Sequence, residues 1–248
     1  MRIILGQFNR NTLVVIGDDS IYSPPRFLSE LSDRVWDELI QTTKRNGGRV
    51  WNGVIYRLVN FVDLGNNTQI FLGTTDFKMH YTTSFAVDKL KKIPFVKRPN
   101  GIYVSSYIET SDNRFVFGVK SAQSIAKEKI NFIGGNLNKD EMVINHTDDI
   151  FRFYEKELEE ELGVKKESIN NISGLAIFQG DNMRICVLLK CDLSISSREI
   201  KNKSHLNFEN KSILLLDKNK LTAKDFPKGA NLNIINTLPL LKSVNTCV

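Results

Sequence analysis

Cysteine is scarce in this chain, with 3 among 248 residues. Cys186, Cys191 and Cys247 include no C-x-x-C pair, and an odd count does not build a disulfide framework. A reducing, cytoplasmic setting is the expectation. Long hydrophobic runs are missing as well. No apolar stretch approaches the roughly 20 residues that a membrane-crossing helix needs, so no membrane partner is expected. The opening Met1-Arg2-Ile3-Ile4-Leu5-Gly6-Gln7 is broken by polar residues too early to read as a signal peptide. Histidine is sparse too. His80, His146 and His205 lie too far apart in sequence to suggest a cluster, and each reads as a surface or satisfied side chain. No internal repeat and no low-complexity segment is present.

Hydrophobic residues make up 41% and charged residues 25%, as in ordinary soluble globular proteins, and the length suffices for a sizeable core. The net charge is +6 and the pI about 9.1. That balance favours anionic partners such as nucleotides, nucleic acid or phosphorylated metabolites. The lysines are scattered, however. The cluster Lys89, Lys91, Lys92, Lys97 and Arg98 is interrupted by Leu90 and Pro94 and closed by Pro99, and reads as a solvated loop rather than a nucleic-acid patch.

Two parts are expected: an N-terminal α+β module over residues 1–95, then a larger domain over 96–248. In the first, residues 3–16 read as strands with a turn near Asn9-Arg10-Asn11. A helix from Phe27 to about Lys44 carries Leu28, Leu31, Val35, Leu39 and Ile40 at helical spacing. A hairpin over 54–62 and 68–73 turns at Gly65-Asn66-Asn67. Residues 76–84 read as a further extended piece, and Val87 to Arg98 as a connection. From residue 101 the order is strand (101–110), strand (114–120), short strand (130–133), helix (148–162), strands (172–178 and 183–191), short helix (197–201), strand (213–216) and helical pieces after Leu221. Strands and helices in that order predict a mixed sheet with helices rather than a doubly wound parallel one.

The informative segment is Phe153-Tyr154-Glu155-Lys156-Glu157-Leu158-Glu159-Glu160-Glu161-Leu162-Gly163-Val164. On a helix, Glu157, Glu160 and Glu161 stand at i, i+3 and i+4 and share one face. Tyr154, Leu158 and Leu162 form an adjoining stripe suited to packing on a sheet, and Gly163 ends the helix. Three like charges on one face repel. A hard divalent cation such as Mg²⁺, which takes oxygen ligands alongside substrate phosphates, removes the conflict. Taken alone, the segment is most simply a solvated acidic face.

Its surroundings change that reading. Preceded by Gly134-Gly135, the segment resembles the signature of the Nudix hydrolase family, G-x5-E-x7-R-E-U-x-E-E-x-G-U. Glu157-Leu158, Glu160-Glu161 and Gly163-Val164 match its second half without gaps. The first half departs. Lys156 stands where the family has arginine, and the glycine pair lies further upstream, with residues 136–147 carrying an insertion. Asp112 to Lys120 resembles the strand before the glycine pair, and 173–178 with 184–190 the hairpin after the helix. In the N-terminal part, Val50-Trp51-Asn52-Gly53, Tyr56-Arg57-Leu58 and Phe71 to Asp76 are similar to the UDP-glucose pyrophosphatase branch. That branch also carries a long insertion and also lacks the arginine.

The resemblance implies an α/β/α sandwich Nudix fold with a mixed sheet behind a smaller α+β module. It implies Mg²⁺-dependent (or Mn²⁺-dependent) hydrolysis of a nucleotide-sugar such as UDP-glucose to nucleoside monophosphate and sugar 1-phosphate. Glu157 and Glu161 would be metal ligands, Glu160 a ligand or the holder of a metal-bound water, and the Gly135 carbonyl a further ligand. Glu157, Glu160 and Asp148 are candidates for the general base, and Lys156 for an orienting cation or a plain helix-surface lysine. Lys120 and Arg57 are either phosphate contacts or, more simply, surface residues. Trp51 and Phe77 are either stacking platforms for a base or core aromatics. Cys186 reads as a core side chain. A nucleotide-binding sensor without turnover, or a hydrolase of ADP-ribose, a dinucleotide or an RNA cap, stands as the alternative.

Overall fold

Alternation of apolar side chains over 102–108 and 185–193 dictates two buried faces, because successive strand residues point to opposite sides. The computed structural model describes residues 1–122, 124–125, 129–203, 210–227 and 230–244. In it the strands β1 (Arg2–Leu5), β2 (Leu13–Ile21), β3 (Val54–Asp63), β4 (Thr68–Asp76), β5 (Ile102–Glu109), β6 (Arg114–Lys120), β7 (Ile130–Asn131), β8 (Ile169–Gln179), β9 (Ile185–Leu193) and β10 (Asn210–Asp217) form two sheets over the described residues. The larger runs β1-β8-β9-β5-β6-β10, with β7 beside β6. It is mixed: β5 and β9 are parallel, in register from Ile102 with Ile185 to Glu109 with Asp192, and the other pairs are antiparallel. The smaller sheet, β2-β4-β3, is also mixed.

The helices are α1 (Arg26–Arg45), α2 (Phe77–Thr82), α3 (Val87–Leu90), α4 (Thr147–Leu162), α5 (Ser197–Lys203) and α6 (Leu232–Val244). On one face of the large sheet, Val104, Ile108, Val187 and Leu189 pack in a core with Ile150, Phe151, Tyr154, Leu158 and Leu162 of α4. On the other, Tyr107, Phe117, Cys186 and Leu188 pack with Ile234, Leu238 and Leu241 of α6. Helices on both faces of a mixed sheet make the expected α/β/α arrangement, with a smaller α+β unit before it. The first core also takes in Leu13, Val15 and Leu72 of the small sheet.

Two local expectations change. Residues 77–82 are helical, not extended, because the Asp76 carboxylate accepts the Met79 N–H at 2.7 Å and caps the turn. β1 lies within the expected N-terminal module yet is the edge strand of the large sheet, pairing with β8. In the connection before β5, Arg98 is anchored by the Ile93 carbonyl at 2.9 Å and Gln179 at 3.3 Å.

The segment after the glycine pair positions the site. Gly135 accepts the Val104 N–H at 2.8 Å, and Leu137 donates to Ile102 at 3.1 Å. On its other side, Tyr56 donates to Leu137 at 2.8 Å and Lys139 to Val54 at 2.9 Å. The chain over 135–139 is thus stitched to β5 of one sheet and β3 of the other.

Candidate active site

Helix α4 forms where the sequence places it, and both ends are satisfied. The Asp149 carboxylate accepts the N–H groups of Asn145 and His146 at 2.9 Å each, and a carboxylate suits the positive end of the helix dipole. Gly163 closes the other end in a left-handed conformation, φ 64°, and donates to Glu159 at 2.9 Å. Tyr154, Leu158 and Leu162 are fully buried, which fixes the rotation of the helix and turns Glu157 toward the glycine pair.

There the approach is close. Gly134 has φ +138°, and a Cβ on it would lie 2.1 Å from the Val104 carbonyl oxygen. Only glycine meets both conditions. A Cβ on Gly135 would lie 2.4 Å from Oε1 of Glu157. The missing side chain is the space that the Glu157 carboxylate occupies. Above this contact opens a cavity of about 320 Å³, lined by Arg49, Trp51, Ile55, Phe77, Gly134, Gly135, Asn136, Asn138, Glu141 and Glu157, among others.

Trp51 lines this cavity at 53% exposure, and Phe77 lines it while packing edge-on against Trp36 at 6.1 Å. Neither is a core aromatic. Arg49, Asn138 and Glu141 were not anticipated. Glu141 accepts from Asn138 Nδ2 at 2.6 Å and from Lys156 Nζ at 2.6 Å. Lys156 also pairs with Glu160 at 3.1 Å. Burial opposes its charge, but the bonds and charges of Glu141 and Glu160 outweigh this and raise its pKa. The Lys156 ammonium thus bridges Glu141 and Glu160.

The three glutamates differ in setting. Glu160 is exposed and is absent from the cavity lining. Glu161 is buried at 5%, where Lys120 Nζ stands 3.4 Å from Oε1 and Asn210 Nδ2 donates to Oε2 at 3.0 Å.

Lys120 is accordingly no surface residue, at 8% exposure. A charged pair between β6 and α4 holds it inside, a partnership between distant segments that local sequence does not reveal. Arg57 is no surface residue either. It is 4% exposed, donates to the Val96 carbonyl at 2.6 Å and lies over the Tyr22 ring at 5.2 Å, away from the Glu157 cavity. Asp148 stands at the far end of α4, paired with Arg10 at 2.9 Å and outside the Glu157 cavity. His80 is buried rather than on the surface, and desolvation holds its pKa well below the ordinary value. Cys186 is a core thiol whose pKa burial pushes up to about 12. His205 and Cys247 lie outside the described residues.

Among the described residues no group of three or more His, Cys, Asp or Glu side chains is gathered to hold a metal ion. Mg²⁺ does not require one. It is commonly held by one or two carboxylates, with water and substrate phosphates completing its shell. Glu157 and Glu161, one helical turn apart, offer two carboxylates. The Gly135 carbonyl, with one lone pair engaged by Val104, offers a third hard oxygen. In donor chemistry the site fits the ion.

No family model and no curated protein matches the sequence. Solved structures similar to the chain include the MutT protein from Methanosarcina mazei Go1, at 14% identity over 58% of this chain and 94% of that one, TM-score 0.43. A mutT/nudix family protein from Listeria innocua is 15% identical over 60% and 95%, TM-score 0.43. A NUDIX family hydrolase from Clostridium perfringens is 14% identical over 60% and 99%, TM-score 0.39. At such identities and scores these likenesses assign no residue role.

Proposed function

We propose that this chain hydrolyses a diphosphate bond in a nucleoside diphosphate derivative, with nucleotide-sugars of the UDP-glucose type as the substrate class. The observation that carries the reading is the contact of Glu157 with side-chain-less Gly135 in a cavity walled by Trp51, Phe77 and Arg49. Aromatic faces stack on bases for roughly 1–3 kcal/mol each, and Arg49 supplies a planar cation for phosphate. Glu157, Glu161 and the Gly135 carbonyl would hold Mg²⁺ or Mn²⁺. Bound there, the ion neutralises phosphate charge and acts as a Lewis acid.

The chain's own residues do the rest. Trp51 and Phe77 hold the base, and Arg49 the diphosphate. Water attacks one phosphorus, the bridging P–O bond breaks, and the proton of the attacking water passes to Glu157, the helix carboxylate that lines the cavity. The products are a nucleoside monophosphate and a sugar 1-phosphate. In such transfers the protein mainly positions groups and stabilises charge.

One observation favours a second reading, nucleotide binding without turnover: the Glu161 carboxylate is already engaged by Lys120 and Asn210. The test is a substrate panel of UDP-glucose, ADP-ribose, dinucleotides and capped RNA, with Mg²⁺ and with Mn²⁺ and with products separated. Release of UMP and sugar 1-phosphate supports the hydrolase. Binding without products across the panel supports the sensor. A steep fall of activity with salt marks a polymer substrate.

A further inference from the structure

Strand β10 is an edge of the large sheet. It pairs with β6 on one side, and among the described residues no strand lies on the other. Edge strands expose unpaired N–H and C=O groups, and natural sheets blunt them with charges, proline or bulges. Other edges here follow that rule: β1 is four residues long and carries Arg2, and β2 carries Asp18 and Asp19. β10 is blunted only at its ends. A register shift falls between Asn210 and Ser212, and Asp217 closes the strand. Between them run Ser212-Ile213-Leu214-Leu215-Leu216, without charge or proline and each partly exposed.

The direction of the free backbone groups follows from the register. Lys218 donates its N–H to Asn113 at 3.0 Å, and the pairing of β10 with β6 is unbroken from Ser212 with Val119 to Asp217 with Arg114. Backbone groups alternate from side to side along an antiparallel strand. Those of Ser212, Leu214 and Leu216 therefore face β6, and those of Ile213 and Leu215 face outward. Among the described residues neither of the latter two makes a backbone hydrogen bond outside the sheet. Both cores also run out to this edge. Ile213 and Leu215 pack against the α4 core, and Leu214 and Leu216 against the α6 core.

A second copy of β10 complements this edge. Laid antiparallel about a two-fold axis at Leu214, Ile213 of each copy faces Leu215 of the other as a hydrogen-bonded pair, which gives about four backbone hydrogen bonds. Leu214 meets itself, Ser212 meets Leu216, and the exposed Lys211 comes to Asp217, its opposite in charge. An axis at Ile213 would set Lys211 against Leu215, and an axis at Leu215 would set Asp217 against Ile213. Only the Leu214 axis pairs apolar with apolar and cation with anion. Such self-complementarity is what an isologous two-fold contact requires.

We propose that this chain dimerises through β10 about a two-fold axis at Leu214, joining two large sheets into one, independently of the Glu157 site.

The test is light scattering of the full chain over a range of protein concentrations. A dimer whose fraction rises with concentration is expected. Ile213→Pro removes an N–H that faces outward, so the bonds to β6 are kept, and should weaken association by at least roughly tenfold. Leu214→Lys, which sets a charge on the edge, should do the same and serves where the proline variant does not fold. Cysteines read the register. At Leu214 the two α-carbons would stand about 4.5 Å apart, within disulfide reach. Leu214→Cys should oxidise to a linked dimer, while Leu216→Cys, which faces Ser212, and the parent should not. Glu157→Gln should dimerise like the parent. A parent that is monomeric at every concentration, a dimer that persists in folded Leu214→Lys, or equal linking by Leu216→Cys would each overturn the proposal.

Discussion

The ammonium of Lys156 lies 2.6 Å from the carboxylate of Glu141, fifteen residues upstream. The carboxylate helix is thereby tied to the segment that follows the glycine pair. Because the same ammonium also pairs with Glu160 at 3.1 Å, one lysine sets two carboxylates. An arginine at this position would grip one carboxylate in a planar fork, whereas a lysine is a compact charge with rotatable donors that serves both. The lysine is part exposed, so Lys156→Met should lower stability by less than about 1 kcal/mol. Turnover should fall further, roughly ten- to a hundredfold, as expected for misplaced groups. Thermal unfolding beside kcat for the parent, Lys156→Met and Lys156→Arg checks this. Equal losses in stability and turnover would reduce Lys156 to a structural residue.

The two glycines make opposite predictions. In Gly135→Ala the new methyl meets the end of a flexible side chain, Glu157. Stability should change by no more than about 1 kcal/mol, while metal-dependent turnover falls as the carboxylate is pushed aside. In Gly134→Ala the methyl meets the Val104 backbone at a positive φ, which should destabilise the fold by at least roughly 1–3 kcal/mol. Denaturant unfolding of both variants separates the two effects.

Lys120 and Glu161 form a buried pair, with side chains 10% and 5% exposed. Removing one partner should be costly, about 3–5 kcal/mol for Lys120→Met, because a charge is left buried. The double variant Lys120→Met/Glu161→Leu should recover part of that loss while abolishing turnover. A double-mutant cycle by urea unfolding measures the coupling.

Asp112 in the β5–β6 turn supplies a pH test. The Ser197 and Thr110 hydroxyls donate to it at 2.6 Å each, and with the Ser197 N–H at 2.8 Å they hold its pKa at about 2. A depressed carboxylate contributes stability that is present above its unfolded pKa, about 3.9, and lost as pH falls through the folded value. Asp112→Asn should therefore be less stable than the parent at neutral pH, and the gap should close between about pH 4 and pH 2. A gap that persists unchanged at the acid end would refute the assignment.

Much of this was legible in sequence because it is local. The helix of Glu157, its apolar stripe and its Gly163 stop follow from spacing alone, and the order of strands and helices after residue 101 pointed to a mixed sheet with helices. What was misread depends on distant partners. Lys120 and Arg57 looked like surface cations because nothing nearby in sequence announces Glu161 for the one or Tyr22 and Val96 for the other. Residues 77–82 looked extended because a single capping aspartate outweighs their weak periodicity. Arg49 and Glu141 were missed because the cavity wall they build is assembled from a loop and an insertion whose hydrogen bonds run to two different sheets.

The central claim is that Glu157, seated in the gap left by Gly135, serves hydrolysis of a diphosphate. Single-turnover cleavage with Mg²⁺ of the best diphosphate of the substrate panel, compared between the parent and Glu157→Gln, tests it most directly. The expected result is cleavage by the parent and a loss of roughly a hundredfold or more in the variant, with folding retained. Cleavage at the parent rate in Glu157→Gln, or no cleavage by the parent of any diphosphate in the panel, would contradict it.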